Sequence, residues 1–263
     1  MKNKLSFYKY QGAGNDFILI DDRTVQFDEN RTELVGRLCD RRFGIGADGL
    51  MLLREKSGFD FEMIYFNADG KVGSMCGNGG RCIARFSDDI GFTAKPGLRF
   101  LAADGPHEAE LKNGIVRLKM SDVSEIETGD GFYFLDTGSP HYVKYVSGLD
   151  ELDVFGEGRK IRYSDRFAAT GTNVNFIEPF NGGIKIRTYE RGVENETLAC
   201  GTGVTAAALT AALKGIATSA ENCRVKARGG DLNVTFRSAG KNQFTDIWLE
   251  GPAEFVYKGE ISI

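Results

Sequence analysis

Two segments of the chain, Met75-Cys-Gly-Asn-Gly-Gly-Arg-Cys82 and Ala199-Cys-Gly-Thr-Gly203, share the pattern Cys-Gly-x-Gly. Alternating apolar and polar residues precede them at 59–66 and 184–189, and this alternation predicts half-buried strands. Helical periodicity follows each segment. The order strand, glycine-containing turn, cysteine and helix therefore occurs twice, which predicts a chain of two similar halves.

Three helices are predicted from apolar residues at helical spacing. The first covers 31–41, with Asn30 as its cap, and the other two cover 79–90 and 203–214. The third helix is rich in alanine and leucine, which are strong helix formers. Because the second and third helices begin directly behind the cysteine segments, we expect both cysteines at helix N-termini.

Alternation also predicts strands at 115–120 and 232–236, so a mainly antiparallel sheet is expected. The Gly- and Asp-containing stretch Glu127-Thr-Gly-Asp-Gly131 marks the predicted boundary between the halves. We expect an N-terminal domain over 1–128 and a C-terminal domain over 129–263, whose last strand is free to pack back on the first domain.

The composition excludes some classes of partner. The chain has 263 residues, of which 41% are hydrophobic, and a net charge of -4 from interspersed charges. Without an extended positive region, nucleic acid is not an expected partner. No apolar run approaches the roughly 18 residues that a membrane helix needs, and the first residues do not resemble a signal peptide. A cytoplasmic protein with no membrane partner is therefore expected.

The number and spacing of cysteines and histidines argue against disulfide bonds and against a metal site. The chain has five cysteines, and an odd number in a cytoplasmic protein disfavours a disulfide framework. Cys39, Cys82 and Cys223 lack the glycine setting and are predicted to be core residues. His107 and His141 are the two histidines, and neither lies at metal-ligand spacing from other ligands. No metal site is expected.

A thiol at a helix N-terminus lies beside unpaired N–H groups and the positive end of the helix dipole, which lower a thiol's pKa. The same N–H groups bind carboxylates, and glycines beside Asn78 and Thr202 leave the backbone open. If the halves bring their helix starts face to face, Cys76 and Cys200 flank the α-carbon of a bound amino acid. One thiolate then removes the α-proton, and the opposite thiol returns a proton without any cofactor.

Each motif also has a simpler interpretation. A lone Cys-Gly most often marks a small buried residue, and only the duplication favours chemistry. Glu190 and Arg191 fit either a solvated turn or a clamp for a zwitterion. A lone histidine such as His141 is more often structural than catalytic. The glycine-rich segments 11–14 and 44–49 lack a Walker lysine and predict tight turns.

Five motifs, in order and over nearly the whole chain, resemble those of diaminopimelate epimerases. They are Gly12-Ala-Gly-Asn-Asp-Phe17, Phe66-Asn-Ala-Asp-Gly70, Met75-Cys-Gly-Asn-Gly-Gly-Arg-Cys82, Tyr189-Glu-Arg-Gly192 and Ala199-Cys-Gly-Thr-Gly203. The resemblance implies an α+β fold of two pseudo-symmetric domains, each a mainly antiparallel sheet wrapped around a central helix. It also implies conversion of LL-2,6-diaminopimelate to the meso form, towards lysine and peptidoglycan, by a cytoplasmic homodimer that uses no pyridoxal phosphate or other cofactor.

The resemblance further implies roles for individual residues. Cys76 and Cys200 are expected to act as base and acid, with His141 and Glu190 as candidates for tuning the pKa of the thiols. Two groups of residues are expected to bind the substrate. These are Gly77, Asn78, Gly201 and Thr202 at the reacting end, and Asn15, Asn67, Asn173, Glu190 and Arg191 at the other end.

Two positions depart from the family's pattern. Ser139 stands where many members have asparagine, and Gly49 stands where some have glutamine. A serine hydroxyl is shorter than an asparagine amide, so we expect a water molecule to bridge the gap between Ser139 and the substrate. Ser139 is kept as a predicted binding residue.

Other functions stay open. Proline racemases and hydroxyproline epimerases resemble this chain in using two cysteines in related motifs, although Asn15, Asn67, Glu190 and Arg191 favour a longer, doubly charged substrate. Phenazine-biosynthesis isomerases share the architecture without this cysteine pair, which counts against them. Outside these enzymes, the two thiols also fit an amino-acid-binding or thiol-redox module that closes a disulfide.

Overall fold

The computed structural model describes residues 4–73, 75–93 and 95–263. The elements up to residue 119 are β1 (Lys4–Gly12), β2 (Asn15–Asp21), α1 (Thr32–Cys39), β3 (Gly49–Arg54), β4 (Phe61–Asn67), α2 (Gly77–Asp89), β5 (Gly97–Ala102), β6 (Gly105–Lys112) and β7 (Ile115–Lys119). The later elements are β8 (Glu127–Thr128), β9 (Phe132–Asp136), β10 (Pro140–Tyr145), α3 (Val154–Arg162), β11 (Asn173–Phe180), β12 (Gly183–Glu190), β13 (Asn195–Thr197), α4 (Gly201–Leu213), β14 (Asn222–Ala227), β15 (Gly230–Gly240), β16 (Gln243–Pro252) and β17 (Glu254–Ser262).

The chain divides into two compact units. The first combines Met1–Leu118 with Pro252–Ile263, and the second is Lys119–Gly251. The first unit is therefore made of two separate stretches, which β17 joins by pairing antiparallel with β1. The domain boundary after residue 128 stays a prediction.

In the first unit, strands surround α2. Strand β2 pairs antiparallel with β1 and parallel with β3, and β3 pairs antiparallel with β4. Strand β4 pairs parallel with β5, which continues antiparallel through β6 to β7. Helix α2 packs against β1, β2, β3 and β6, and most of its 13 residues are buried.

In the second unit, strands surround α4 in the same way. Antiparallel pairs join β8 to β9, β9 to β10, β11 to β12, and β14 through β15 to β16. Parallel pairs join β10 to β11 and β12 to β14. Helix α4 is apolar on all sides, as a helix buried all round requires, and it packs against β10, β11, β12 and β14. The predicted mainly antiparallel fold with one central helix in each unit is confirmed.

The ends of all three predicted helices differ from the sequence-based predictions by one or two residues. Helices α2 and α4 begin at Gly77 and Gly201, two residues earlier than predicted, because burial of the first turn outweighs its low helix propensity. The cap of α1 was predicted wrongly. Arg31, not Asn30, precedes the helix, and no side chain caps it.

Helix α3 was not predicted. Asp153 caps it by accepting a hydrogen bond from the backbone N–H of Gly156 at 2.9 Å. Its sequence signal is weak because Gly156 and Gly158 interrupt the helical pattern. Gly158 is required by packing, since a Cβ there would lie 2.4 Å from the Cβ of Tyr189.

The core predictions for three cysteines are confirmed. Cys39, Cys82 and Cys223 are all buried. Burial raises the pKa of Cys39 and Cys82 to about 12 and that of Cys223 to about 11, so these thiols stay protonated. Among the residues that the structure describes, no helix is long and apolar enough to cross a bilayer.

Candidate active site

Cys76 is the residue that precedes α2. Its backbone is extended, with φ -104° and ψ 128°, and its carbonyl accepts the first helical hydrogen bond from Gly80 N at 2.7 Å. Gly77 and Asn78 form the first turn, where backbone N–H groups have no partner within the helix. The predicted cysteine at a helix N-terminus is confirmed for this unit, and Cys76 is half-buried.

Asn15 forms hydrogen bonds with several polar side chains around Cys76. Its Oδ1 accepts from Cys76 Sγ at 3.5 Å and from Asn78 Nδ2 at 3.3 Å. Its Nδ2 donates to Asp48 Oδ2 at 2.5 Å. Asn15 opens β2 and Asp48 directly precedes β3, the parallel neighbour of β2. Three predicted site residues, Asn15, Cys76 and Asn78, therefore lie together.

Asn67 lies apart from this group. It is exposed at the end of β4, and within the described residues its side chain donates to and accepts from none of the three. Its neighbour across the ladder is Gly49, where a Cβ would lie 2.5 Å from the Tyr65 ring and 2.6 Å from the carbonyl oxygen of Phe66. The Tyr65 ring therefore occupies the space that a glutamine at position 49 would need.

The second unit repeats the arrangement at Cys200. This residue precedes α4 with an extended backbone, and its carbonyl accepts from Val204 N at 2.8 Å. Cys200 Sγ lies 3.4 Å from Thr202 Oγ1, and the carbonyl of Thr202 accepts from Thr137 Oγ1 at 2.9 Å. Gly201 and Thr202 thus form the first turn of α4, as Gly77 and Asn78 do in α2.

Four further predicted residues lie at the ends of β11 and β12 and in the turn before β10. Asn173 Nδ2 donates to Ser139 Oγ at 2.9 Å, and Asn173 Oδ1 accepts from Arg191 N at 2.9 Å. Arg191 Nη2 also donates to Ser139 Oγ, at 3.4 Å. Glu190 Oε2 accepts from Thr197 Oγ1 at 2.8 Å. The Ser139 hydroxyl itself therefore joins Asn173 to Arg191.

His141 is fully buried and uncharged at neutral pH. Burial lowers its pKa to about 3, and the charge of Arg191 adds to the effect. Its Nδ1 accepts from Asn175 Nδ2 at 3.1 Å, while Asn175 Oδ1 accepts from Thr188 Oγ1 at 3.0 Å. This pairing leaves the proton on Nε2, which has no hydrogen-bond partner within the described residues. His141 is therefore a neutral donor in the resting protein.

Four residues near the cysteines were missed from sequence: Asp48, Arg81, Thr137 and Asn175. Asp48 lies in a segment interpreted as a simple turn, and Arg81 lies inside the first cysteine motif. The alternation Asn173-Val-Asn175 could have pointed to Asn175, because residues two apart in a strand share a face. No local signal singles out Thr137.

Comparison with known sequences identifies the family. The profile described as Diaminopimelate epimerase matches residues 7–130 and 133–256. Over 259 residues the chain is 47% identical to the protein named Diaminopimelate epimerase from Flavobacterium psychrophilum, which covers 98% of this chain and 100% of that protein. Over 262 residues it is 47% identical to the protein of the same name from Chlorobaculum tepidum, with 96% and 99% covered.

Solved structures share the fold. The PhzF-family phenazine biosynthesis protein of Bacillus anthracis matches with a TM-score of 0.73 at 14% identity, over 99% of this chain and 100% of that one. A hydroxyproline epimerase from Agrobacterium vitis, solved with trans-4-hydroxy-L-proline bound, matches with a TM-score of 0.72 at 15% identity, over 100% and 94%. At such identities the likeness concerns the fold alone. The sequence matches go further, and by them the chain belongs to the diaminopimelate epimerase family.

Proposed function

We propose that this chain interconverts LL-2,6-diaminopimelate and meso-2,6-diaminopimelate. The observation that carries the proposal is one arrangement built twice, in a chain of this family. In each unit a cysteine directly precedes a buried central helix that opens with glycine. A thiol beside free backbone N–H groups can lose its proton and can lie next to a bound carboxylate.

In the proposed reaction, Cys76 and Cys200 act on the same α-carbon. One sulfur, as thiolate, removes the α-proton, while the other, as thiol, donates a proton to the opposite face. The first turns, formed by Gly77 with Asn78 and by Gly201 with Thr202, bind the reacting carboxylate and stabilise its charge as it becomes enolate-like. This reaction requires both sulfurs to reach opposite faces of one α-carbon.

The distal end of diaminopimelate carries a second carboxylate and a second ammonium group. We propose that Arg191 binds this carboxylate, since its guanidinium is already oriented by Ser139, and that Glu190 binds the ammonium. Asn173, Asn15 and Asn67 would supply amide donors and acceptors. Because His141 is neutral, any tuning of a thiol by this residue would act through the N–H of Nε2, whereas Glu190 would act through its charge.

The test uses the reduced protein and LL-diaminopimelate in deuterated water without pyridoxal phosphate. Formation of the meso isomer with deuterium at the α-carbon is expected. Cys76→Ala and Cys200→Ala should each abolish epimerisation, whereas Cys223→Ala, which changes a buried thiol outside both helix starts, should retain it. No exchange by the unchanged protein would refute the proposed activity, and full activity of either of the first two variants would refute the two-thiol mechanism.

The same protein preparation also tests the two alternative functions. Proline and trans-4-hydroxyproline are offered as competing substrates, and preferential turnover of either would favour the proline racemase or hydroxyproline epimerase alternative. Mass spectrometry of the untreated and reduced protein reports whether Cys76 and Cys200 form a disulfide. A stable, reversible disulfide without epimerisation would instead favour a thiol-redox module.

We further propose a cytoplasmic homodimer. The dimer is supported by exposed apolar side chains in β17, since such side chains often mark a protein interface. Three consecutive residues of this strand, Phe255, Val256 and Tyr257, are 50%, 51% and 40% exposed. Light scattering of the protein at micromolar concentration should give twice the mass of one chain, and Val256→Lys should lower that mass. Fractionation of cells that produce the protein tests its location. A monomer in solution, or recovery with membranes, would contradict the respective proposal.

A further inference from the structure

Arg81 is a fully buried cation in the second turn of α2. Its guanidinium donates to Asn78 Oδ1 at 2.9 Å, to the carbonyl of Gly77 at 3.3 Å and to the carbonyl of Pro252 at 3.5 Å. All three acceptors are neutral, and no carboxylate of the described residues pairs with it. A buried charge normally has a countercharge, because desolvation is otherwise costly. Among the described residues, Arg81 therefore has no carboxylate as its countercharge.

The second unit has no such charge. Arg81 follows Cys76 by five residues, and the residue five positions after Cys200 is Thr205. Thr205 is also fully buried, and its Oγ1 donates to the carbonyl of Gly201 at 3.0 Å. Both side chains thus contact the first carbonyl of their helix, but only α2 has a cation behind its first turn. The two otherwise similar helix starts differ in electrostatics.

The charge of Arg81 acts on neighbouring sulfurs. Burial lowers the pKa of Arg81, and the anionic forms of Cys82 and Cys76 oppose this shift. The attraction is mutual, so the guanidinium favours the thiolate forms of these cysteines. Cys82 is fully buried and keeps its proton, as its pKa of about 12 requires. Cys76 is partly exposed and is the sulfur that can use the charge.

Arg81 also fixes the amides in front of Cys76. A guanidinium only donates, so the oxygen of the Asn78 amide must face it, and Asn78 Nδ2 is left for Asn15. At the other end, the carboxylate of Asp48 only accepts, so Asn15 Nδ2 must face it. The two charged groups thereby set the direction of both amides and point Asn15 Oδ1 at Cys76 Sγ.

We propose that Arg81 is a positioning residue whose buried charge holds Asn78 and favours the anionic form of the Cys76 sulfur, so that the two thiols are electrostatically unequal. The proposal rests on the proposed function, since it assigns the resting thiolate to one half of that reaction. The contact from Cys76 Sγ to Asn15 Oδ1 favours the thiol instead, but at 3.5 Å it is a long sulfur hydrogen bond. A full charge in a buried site outweighs it.

The first experiment needs no variant. Iodoacetamide is applied to the unchanged protein between about pH 5 and 10, and peptide mass spectrometry follows Cys76 and Cys200 separately. Each rate is normalised to its own maximum at high pH, which removes differences in access. The midpoint for Cys76 should lie about one pH unit below that for Cys200. Equal midpoints, or a lower midpoint for Cys200, would overturn the proposal.

Variants then assign the difference to Arg81. Arg81→Met removes the charge at similar length and should raise the Cys76 midpoint by about one pH unit without moving that of Cys200. Thr205→Val is the matched change in α4 and should move neither midpoint. A merely structural role for Arg81 predicts an unchanged midpoint in folded Arg81→Met, and that result would also overturn the proposal. Because Cys200 is buried and Cys76 is half-buried, burial contributes to the difference within the unchanged protein. If Arg81→Met does not fold, Arg81→Gln removes the charge while keeping a donor for Asn78 Oδ1, and the same rise of the Cys76 midpoint is expected. Equal midpoints in the unchanged protein still overturn the proposal.

Failure of this proposal and failure of the proposed function are distinguishable. Epimerisation of LL-diaminopimelate by the unchanged protein with equal midpoints would refute the role of Arg81 alone. Ordered midpoints without any α-deuterium exchange would support the charge asymmetry while refuting the epimerase activity.

Discussion

Replacing Gly203 by alanine is expected to destabilise the second unit, whereas the matched change Gly79→Ala is not expected to destabilise the first unit. Each glycine lies three residues after the cysteine that directly precedes its helix. A Cβ on Gly203 would lie 2.4 Å from Asn175 Oδ1. A Cβ on Gly79 would meet Met51 Sδ at 3.3 Å, and methionine can yield by changing rotamer.

The cost at Gly203 follows from the bonds that hold Asn175. This amide is fully buried and interacts with His141 Nδ1, the carbonyl of Tyr142 and Thr188 Oγ1. Moving it aside strains or breaks bonds worth about 1 kcal/mol each. Overpacking costs about 1–3 kcal/mol, and alanine in a helix returns about 1 kcal/mol. We expect a net loss of about 2–3 kcal/mol for Gly203→Ala and a change between zero and a gain of about 1 kcal/mol for Gly79→Ala.

Urea unfolding and thermal melting measure both variants beside the unchanged protein. A loss of about 2–3 kcal/mol corresponds to a midpoint lower by about 4–12 °C. Epimerisation by Gly203→Ala should fall by at least about tenfold, because the start of α4 carries Cys200 and small displacements of reacting groups are costly. Equal melting points for the two variants, or a larger loss for Gly79→Ala, would refute this account of the second helix start.

Three further predictions concern the second unit. Stability should fall as the pH drops from 6.5 towards 3, by up to about 1.4 kcal/mol per pH unit, because unfolded His141 takes up a proton that the buried ring cannot accept until about pH 3; urea unfolding of His141→Gln at several pH values should show a shallower fall. Thr137→Val removes the 2.9 Å bond to the carbonyl of Thr202 and should cost about 1 kcal/mol in urea unfolding, and an unchanged midpoint would show that the bond is dispensable. Glu196→Gln breaks a bidentate pair with Arg187, at 2.7 and 2.8 Å between side chains 13% and 15% exposed, and should cost about 2–4 kcal/mol; a melting point within experimental error of the unchanged protein would contradict this value.

The sequence was sufficient to predict features that depend on local pattern. Glycine-flanked cysteines ahead of apolar helices predicted where Cys76 and Cys200 lie, because the helix start is decided by the residues immediately around it. The strands before them were predicted for the same reason. The position of Asn15 beside Cys76 was expected from family resemblance, since 61 residues separate them and no periodicity connects them.

What escaped prediction depends on tertiary contacts. Arginine is seldom fully buried, so Arg81 would be placed at the surface from its type alone. Its burial follows from acceptors that include Pro252, far along the chain. Asp48 likewise acquires its role only when β2 and β3 align side by side. Helix α3 was missed because its glycines serve packing against Tyr189 rather than helix formation.

The pairing of β17 with β1 has a consequence for folding during synthesis. Of the strands described here, β17 leaves the ribosome last, yet it completes the sheet of the unit that is synthesised first. Until then one edge of β1 has unpaired backbone groups, which can recruit a wrong strand. The second unit, by contrast, has all its strands before β17 emerges. The ladder between Lys4 and Ser262 joins residues from the two ends of the described chain. A contact of such large sequence separation forms late, so the unit that is translated first is completed last.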